Sequence, residues 1–392
     1  MRRVSTGLNQ LRDFAHMIKG NVGYLCHAAS IDADYIHGID KIKSIFGSRL
    51  KKLYSPQHGI YADVQDNMVE SDHFHHSYYD LPVFSLYADT RKPTSEMLAG
   101  IDHVIIDLQD VGTRVYTYIY TMIYMMEACG ELGIQVIVLD RPNPIGGKRV
   151  AGNILDMNFR SFVGRYPLPM RHGLTIGEVA LMAKMHWNVT CELKVIKMKG
   201  WNRSQTYWDT KLPWVLPSPN LANVETAFTY VATVLFEGTN ISEGRGTTKS
   251  LEVFGHPELK HNKLLRELNL EFKANDLNGF ILRPLSFQPT FQKYAGTTCH
   301  GYQIHITDQR EFKPWFVGQV VLQKLYHHLD ASFQWKQPPY EYEEKLLPID
   351  VLNGTDQIRH WIESNGSYDE LLTIEKKGMN DFLVRRKEIM IY

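Results

Sequence analysis

Polar side chains that can carry acid–base chemistry follow the apolar runs of the first 250 residues. Asp107 and Asp110 close one such run, and Arg114 follows shortly after them. Close carboxylates perturb each other's proton affinity, and a neighbouring guanidinium favours the ionised form. Tyr116 and Tyr118 add hydroxyls and flat ring faces that suit a sugar ring. The alternative interpretation is a helix cap with a surface ion pair.

Two further strand ends carry groups of the same kind. In the segment SPQHG, the glycine permits a tight turn that would present Gln57 and His58 at the rim of a sheet. In DRPNPIGG, a loop made rigid by prolines carries Arg141 and Asn143. A satisfied structural histidine and a structural turn are the plainer interpretations of these two segments.

The loop FEGTNISEGRGTT, residues 236–248, is the densest polar cluster in the chain. Glu237, Asn240, Glu243 and Arg245 lie within nine residues, with three glycines in the same loop. Ordering such a loop costs conformational entropy, so we expect it to be functional rather than merely structural.

Two other polar groups border predicted elements. Arg171 and His172 stand immediately before a predicted helix, whose start would suit an anion. Asn220 ends the rigid loop PSPN. These residues join the candidate set for substrate binding.

The segment ESDHFHH, which begins at Glu70, could be interpreted as a metal site. Its histidine spacing is not a standard one for zinc, so we favour a solvated or sugar-contacting loop and expect no metal. The nucleotide-binding patterns GxGxxG and GxxxxGK[ST] are absent where they would be needed, and the serine-hydrolase pattern GxSxG is absent too. We therefore expect no cofactor.

The elements that must position these groups alternate between β-rich apolar runs and helix-length segments. This alternation predicts an α/β fold with a parallel sheet, in which ligands lie beyond the carboxyl ends of the strands. The predicted strands span 23–29, 50–56, 81–87, 103–110, 134–144 and 191–198, and the predicted helices span 39–46, 116–133 and 175–187.

The regular alternation of apolar runs and helix-length segments ends after about residue 250. We predict strands and loops over 282–308, a helix over 314–329, and closing helices with a terminal strand over 367–392. The expected organisation is a catalytic α/β domain over residues 1–250 and a smaller α+β domain over 251–392 that closes the cleft.

The composition excludes several classes of protein. The 43 Lys and Arg residues balance the 43 Asp and Glu residues, which argues against nucleic acid and acidic lipid as partners. No secretory leader and no run of about 20 apolar residues is present, so we expect a cytoplasmic protein without a membrane span. The widely spaced cysteines predict reduced, mostly buried thiols; they are Cys26, Cys129, Cys191 and Cys299.

Eight motifs in fixed order give the chain a resemblance to a known family. The motifs are SP-x-HG, LPVFSLY, RKPTSEML, D-x-QDVGTR-x-YTY, VLDRPNPIGG, RHGLTIGE, PSPN and FEGTNISEGRGTT. Their order resembles that of the NamZ-type exo-β-N-acetylmuramidases, which remove N-acetylmuramic acid from the non-reducing end of peptidoglycan fragments. The resemblance implies a Rossmann-like domain without a nucleotide, a smaller second domain, and an active site in the cleft between them.

The sequence departs from the family at one position. The usual family motif is SPEHG, with a glutamate that is a leading catalytic candidate, whereas this chain has Gln57 there. An amide cannot exchange a proton at useful pH, so another acid must act if the chain is a hydrolase, and Glu70 is a candidate replacement.

The resemblance also suggests how such a substrate would be cleaved. One carboxyl group protonates the leaving oxygen, while a second carboxylate or the acetamido group of the substrate acts at the anomeric centre. The lactyl carboxylate of the sugar calls for an arginine. We expect His58 and His172 to orient the sugar or the acids. The candidate acids are Glu70, Asp107, Asp110 and Glu243, and the candidate arginines are Arg114, Arg141, Arg171 and Arg245.

The expectation that unites these residues is spatial. Asp107, Arg114, Arg171 and Glu243 should converge in one crevice sized for a muramyl ring. The expected partner is an amino-sugar or muropeptide substrate, and the oligomeric state stays open. Two alternatives are a sugar-binding protein whose catalysis has been altered and a glycosidase for another acetamido or acidic sugar.

Overall fold

A seven-stranded sheet organises the first half of the chain. The computed structural model describes residues 3–65 and 68–392. The strands of this part of the chain, in order, are β1 Val22–Cys26, β2 Leu50–Ser55, β3 Phe74–His76, β4 Leu81–Ser85, β5 His103–Asp107, β6 Gln135–Leu139, β7 Ala151–Ile154, β8 Pro169–Arg171, β9 Leu193–Ile196, β10 Val253–His256, β11 Phe280–Phe287 and β12 Cys299–Ile306.

The order of strands in the large sheet is β3-β4-β2-β1-β5-β6-β9. The short edge strand β3 is antiparallel to β4, and all other pairs are parallel. Numbered along the chain, the parallel strands are ordered 3-2-1-4-5-6, which is the Rossmann order. The predicted α/β, Rossmann-like fold is therefore confirmed. The strand order reverses between β1 and β5, so the rule for such sheets places ligands beyond the carboxyl ends of these strands.

The central strands are apolar because both of their faces are covered. All five residues of β1 are buried, as are the last four of β5 and of β6. Continuous apolar runs of this kind are typical of parallel strands between two helical layers. The helices of the described residues are α1 Gly7–Phe14, α2 Gly38–Phe46, α3 Ser95–Leu98, α4 Tyr118–Glu131, α5 Ile176–His186, α6 Tyr207–Thr210, α7 Val224–Thr233, α8 His261–Ala274, α9 Pro314–Leu329, α10 Pro348–Asn353, α11 Gln357–Glu363, α12 Tyr368–Lys376 and α13 Met379–Ile389.

The second half of the chain contains a smaller antiparallel sheet of order β10-β12-β11. Helix α8 packs against this sheet, α9 packs against α8, and α9 also packs on α7 from the first half. One hydrophobic cluster runs from Leu25 in β1 to Phe382 in α13, so the two halves share a core. A separate cluster under α1 and α2 covers the other face of the large sheet. The domain boundary at residue 250 stays a prediction.

The predicted terminal strand is wrong. After α13 the last residues pair with no strand and are fixed by side chains instead. The Tyr392 hydroxyl donates to Oδ2 of Asp140 at 2.7 Å and accepts from the backbone N–H of Met198 at 2.7 Å. The backbone N–H of Ile391 donates to Glu178 at 3.0 Å. The N–H of Ile391 thus finds a side-chain acceptor in place of a strand partner, and the Tyr392 hydroxyl anchors the end of the chain.

Two expectations about the whole chain can be compared with the fold. The four cysteines are unpaired and buried, as predicted. Within residues 3–65 and 68–392, no helix has both the length and the apolar character to cross a bilayer.

Candidate active site

A cavity lies beyond the carboxyl ends of β2 and β5, next to the point where the strand order reverses. The centre of a water molecule can reach about 40 Å³ of it, which is room for a few waters. Both halves of the chain contribute to its wall. The lining residues are Gln57, His58, Val115, Tyr116, Thr117, Tyr118, Val163, Ser218, Asn220, Leu221, Tyr230, Glu237, Arg245, Leu251, Tyr340 and Glu341.

The turn after β2 presents Gln57 and His58 to this cavity. His58 has a φ of 70°, a left-handed conformation that is uncommon for a residue with a side chain and recurs at functional sites. Its Nδ1 lies 2.7 Å from the carbonyl oxygen of Val64. The side-chain oxygen of Gln57 accepts from the Thr117 hydroxyl at 2.7 Å. That bond orients the amide so that its nitrogen faces Glu341, 3.4 Å away.

Three tyrosines form an aromatic wall of the cavity. The ring centroids of Tyr116 and Tyr118 are 4.6 Å apart, and Tyr230 stands edge-on to Tyr116 at 6.1 Å. The Tyr118 hydroxyl is fixed by donation to the carbonyl oxygen of Pro217 at 2.7 Å. Such rings offer apolar faces with polar edges, as a sugar ring requires.

Two glutamates, Glu237 and Glu341, face the same cavity in different environments. Glu237 accepts from Nη2 of Arg245 at 2.6 Å and from the Tyr340 hydroxyl at 2.7 Å. Glu341 accepts from the Tyr87 hydroxyl at 2.9 Å. Burial raises the pKa of Glu341 to about 7, and the negative charge of Glu237 adds to that rise, against the opposing hydrogen bond from Tyr87. The arrangement combines a carboxyl that holds its proton near neutral pH with a carboxylate paired to a cation.

Glu243 lies behind this pair and outside the cavity lining. Its carboxylate is 2.9 Å from Nζ of Lys293 and 3.3 Å from Nε of Arg245. Although burial opposes ionisation, these two cations lower the pKa of Glu243. On Arg245, the carboxylates of Glu237 and Glu243 outweigh burial and raise the pKa, so the guanidinium stays charged. Glu243 therefore holds Arg245 in place.

Asp107 and Arg141 form a buried ion pair within the sheet. Nε of Arg141 lies 2.5 Å from Oδ1 of Asp107, Nη2 lies 2.9 Å from Oδ2, and the Tyr24 hydroxyl also donates to Oδ2 at 2.9 Å. Asp107 is 0% exposed and Arg141 is 3% exposed. Their position at the end of β5 is the predicted one, but their charges satisfy each other and do not face the cavity.

Three other polar candidates, Asp110, His172 and Asn143, do not line the cavity. Asp110 accepts from the backbone N–H of Gly112 at 2.8 Å and lies 3.3 Å from Nε2 of His172. Asn143 donates to the carbonyl oxygen of Leu174 at 2.9 Å, which fixes the turn after β6. These contacts agree with the structural interpretation of that turn.

Arg114 is a structural residue in this fold. Nη1 donates to the carbonyl oxygens of Asn153 and Leu168, and Nη2 donates to those of Leu352 and Asn353, at 2.7 to 3.0 Å. Burial lowers the pKa of Arg114 to about 10. The side chain joins the first half of the chain to α10 and does not reach the cavity.

The remaining candidates lie elsewhere. Glu70 is half exposed, pairs with Arg91 at 3.0 Å and accepts from the Tyr342 hydroxyl at 3.2 Å, in a surface hollow that Glu341 also borders. Asn240 bonds to the backbone around Ser332. Arg171 lines a separate hollow.

The predicted convergence is therefore wrong. None of Asp107, Arg114, Arg171 and Glu243 lines the cavity. A different set does, and the predicted site residues among it are Gln57, His58, Tyr116, Tyr118, Asn220 and Arg245.

The second carboxyl of the site, Glu341, was not predicted from the sequence. Glu237 belongs to the dense polar loop of residues 236–248, so a sequence signal for it was present. Glu341 lies in the segment PPYEYEEK, which has the composition of an ordinary charged surface loop. Nothing in that composition distinguishes it from its exposed neighbour Glu344.

The segment that begins at Glu70 does not form a metal site in the described part of the chain. His75 pairs with Asp80 at 2.8 Å, and His76 lies 3.0 Å from the Tyr61 hydroxyl. No group of three or more His, Cys, Asp or Glu side chains among residues 3–65 and 68–392 is placed to hold a metal ion.

Comparison with known proteins agrees with this architecture. Two family models match in succession: exo-β-N-acetylmuramidase NamZ, N-terminal, over residues 22–225, and exo-β-N-acetylmuramidase NamZ, C-terminal, over residues 228–392. The peptidoglycan β-N-acetylmuramidase NamZ of Bacillus subtilis (strain 168) is 40% identical over 396 residues, covering 100% of this chain and 92% of that protein.

Two solved structures resemble the whole chain. Both are DUF1343 family proteins from Bacteroides fragilis NCTC 9343, and the match covers 100% of this chain and 99% of each of them. One has a TM-score of 0.87 at 30% identity, and the other a TM-score of 0.77 at 28% identity. Both halves of the sequence and the complete fold thus match, and the chain belongs to the NamZ exo-β-N-acetylmuramidase family.

Proposed function

We propose that this chain is a glycoside hydrolase that releases terminal non-reducing β-N-acetylmuramic acid from peptidoglycan fragments. Membership of the NamZ family supports this activity, as does the 40% identity to a peptidoglycan β-N-acetylmuramidase. The observation that carries the proposal is the presence of Glu237 and Glu341 in one cavity. Glycosidic cleavage needs one carboxyl group that donates a proton and a second group that is an ionised carboxylate.

Glu341 is the proton donor in this proposal. A general acid must hold its proton at the working pH and release it to the glycosidic oxygen as the bond breaks. The pKa of about 7 that burial gives Glu341 meets the first condition. Its contacts with Tyr87 and Gln57 fix the carboxyl at the cavity wall.

Glu237 is the anionic partner. Its bonds to Arg245 and Tyr340 hold the carboxylate in one orientation. From there it stabilises positive charge at the anomeric carbon or orients the acetamido group of the substrate for attack. Both routes use the carboxylate as a fixed negative group.

Recognition of the sugar falls to the remaining lining residues. Tyr116, Tyr118 and Tyr230 pack against the ring. The side-chain oxygen of Asn220 is buried and has no hydrogen-bond partner in the described part of the chain, so it can accept from a sugar hydroxyl or amide. Arg245 is the one predicted arginine that reaches the cavity, and we assign the lactyl carboxylate to it.

Substrate binding requires the cavity to widen. The water-accessible space of about 40 Å³ is too small for a pyranose ring. Glu341, which lines the cavity, and the exposed Tyr342 beside it both have positive φ angles, 46° and 67°. Movement of this segment would open the site and then return Glu341 to the glycosidic oxygen.

The test is the release of N-acetylmuramic acid from defined muropeptide fragments by the purified full-length chain. Release from the non-reducing end is expected, without cleavage of chains that end in N-acetylglucosamine. Tight binding of the fragments with no turnover would instead identify a binding protein, and turnover of a different acetamido sugar would identify another glycosidase. The cytoplasmic location stays a prediction of the sequence, which cell fractionation would test.

A further inference from the structure

A second hollow lies apart from the proposed active site and carries excess positive charge. It has a volume of about 450 Å³ and lies between the loop after β6, the end of β8 and the loop after β12. It shares no lining residue with the cavity that holds Glu341. We call it the cationic hollow, after its five cationic side chains Lys148, Arg149, Arg171, Arg203 and Arg310.

Arg171 is the most unusual group in the cationic hollow. It is 4% exposed, and its Nη2 donates to the carbonyl oxygen of Ile145. Within the described residues its Nε has no hydrogen-bond partner, and no carboxylate forms an ion pair with it. Burial and, to a smaller extent, the neighbouring charge of Arg149 lower the pKa of Arg171 to about 9.

Other buried arginines in this protein show what Arg171 lacks. Arg141 is paired with Asp107, and Arg245 is paired with Glu237. Arg114 has no carboxylate partner, but it donates to four carbonyl oxygens. A buried guanidinium without such a partner is costly, because the charge has lost its hydration. A bound anion would supply the missing partner.

The charges around Arg171 are only partly compensated. Arg203 pairs with Glu178 at 2.6 Å, and Arg149 lies 3.6 Å from Glu311. Lys148 and Arg310 form no ion pair with a carboxylate of residues 3–65 and 68–392. The hollow therefore keeps a positive field that a single carboxylate in its lining does not cancel.

Gln309 provides a second and independent sign of a missing ligand. Its side-chain oxygen is buried and, in the described part of the chain, has no hydrogen-bond partner. The oxygen and nitrogen of an amide are assigned from their surroundings, so the same side chain turned over would present its NH₂ group to an anion. Gln309 and Arg171 both line the hollow.

We propose that the cationic hollow is an oxyanion site that binds a phosphate group. Several guanidinium forks and a lysine around one hollow suit a tetrahedral dianion better than a single carboxylate. The phosphate is either free inorganic phosphate or the ester group of a sugar phosphate, since both present the same oxygens. The site acts separately from hydrolysis because it shares no residue with the proposed active site.

Binding of inorganic phosphate to the full-length protein tests this site. Isothermal titration should give one saturable site per chain, and phosphate should raise Tm more than sodium chloride at the same ionic strength. Lys148→Gln and Arg310→Gln each change an exposed side chain, and each should weaken phosphate binding at least fivefold. Lys51→Gln, the same change at an exposed position of β2, should leave binding unchanged.

Two outcomes of these measurements would contradict the proposal, and two further measurements refine it. Equal Tm shifts in phosphate and chloride would overturn the proposal, as would phosphate binding that survives both hollow variants. Glucosamine 6-phosphate identifies the source, because tighter binding than inorganic phosphate supports a sugar phosphate and equal binding supports the free ion. Arg171→Met should abolish the phosphate response, and the two exposed variants keep the test valid if that variant fails to fold. None of these readouts depends on muramidase activity.

Discussion

The side-chain nitrogen of Gln57 lies 3.4 Å from Oε1 of Glu341, a residue 284 positions further along the chain. The Thr117 hydroxyl holds the amide oxygen at 2.7 Å, so the N–H group of Gln57 points to the carboxyl. An uncharged donor at this position steadies Glu341 without placing a second negative charge beside it. The second half of the chain thus supplies a carboxyl group, that of Glu341, beside the end of β2, where the first half has only the amide of Gln57.

Replacement of that acid should remove proton donation. We expect Glu341→Gln to lower kcat on natural fragments by about 10² to 10⁴, the usual contribution of general acid catalysis. The loss should be smaller on a nitrophenyl N-acetylmuramide, because that leaving group needs no proton. Steady-state kinetics on both substrates measure the difference.

Glu344→Gln is the matched control, since the same change is made at an exposed position three residues away. It should leave both activities within about twofold of wild type. Equal losses on the two substrates in Glu341→Gln would argue against a proton-donor role.

Activity should also fall as the pH rises above neutral. The pKa of Glu341 is raised to about 7, and the protonated form is the active one. We therefore expect kcat/KM to fall as pH rises through about 7, with a slope of one decade per pH unit above it. Profiles of kcat/KM from pH 5 to pH 9 measure this fall, which we call the alkaline limb. If the limb persists in Glu341→Gln, another group causes it.

A glutamate at position 57 should move that limb. Gln57→Glu would set two carboxyl groups at hydrogen-bond distance, and like charges so close raise the pKa of one of them. We expect the fall in kcat/KM to shift by about one pH unit or more to higher pH. Gln57→Asn adds no charge and only shortens the side chain that donates the hydrogen bond that lowers the pKa of Glu341, so it should move the fall to higher pH by less than Gln57→Glu does. A limb at the same pH in Gln57→Glu would mean that residue 57 does not couple to the acid.

Asp140 gives a prediction about stability. Burial raises the pKa of Asp140 to about 7 from 3.8, against the hydrogen bonds from Tyr392 and Gly177. The folded protein therefore binds a proton more tightly than the unfolded chain. The stability that this proton provides is complete below about pH 4 and is lost as pH rises through about 7.

The size of that loss can be measured by urea unfolding. A shift of about three pH units corresponds to a change in the free energy of unfolding on the order of 4 kcal/mol between pH 4 and pH 8. Asp140→Asn should remove most of this dependence, and Asp209→Asn, at a half-buried carboxylate, should keep it. An unchanged slope in Asp140→Asn would show that other groups cause it.

Much of the fold follows from local sequence pattern. The apolar runs of β1, β5 and β6 were predicted as strands because strands buried on both faces have few polar residues. Helices α5 and α9 were predicted from their length and start signals, and the ends agree within two residues. The terminal strand failed because an extended segment can satisfy its backbone through side chains, which no local pattern reveals.

The site was only partly predictable from sequence. Gln57 and Tyr116 follow strands and do reach the cavity, as the rule for parallel sheets requires. The same rule selected Asp107 and Arg141, which satisfy each other inside the protein. Residue type and position do not distinguish a polar residue that lines the cavity from one that is paired inside the protein, because both occur at strand ends. Glu341 was missed because its role comes from a contact with the other half of the chain.

Replacement of Arg114 distinguishes a structural role from a substrate-binding role. Four buried carbonyl oxygens accept from its guanidinium, and two of them belong to Leu352 and Asn353 in α10. Arg114→Met would leave these acceptors without a donor, at about 1 to 3 kcal/mol each. We expect the free energy of unfolding to fall by at least about 3 kcal/mol, with KM unchanged in the fraction that stays folded. Arg385→Met, at an exposed position, should change neither quantity. A rise in KM without loss of stability would instead indicate that Arg114 binds substrate. Loss of a side chain whose only role is to join the two halves of the fold should lower stability and leave KM unchanged.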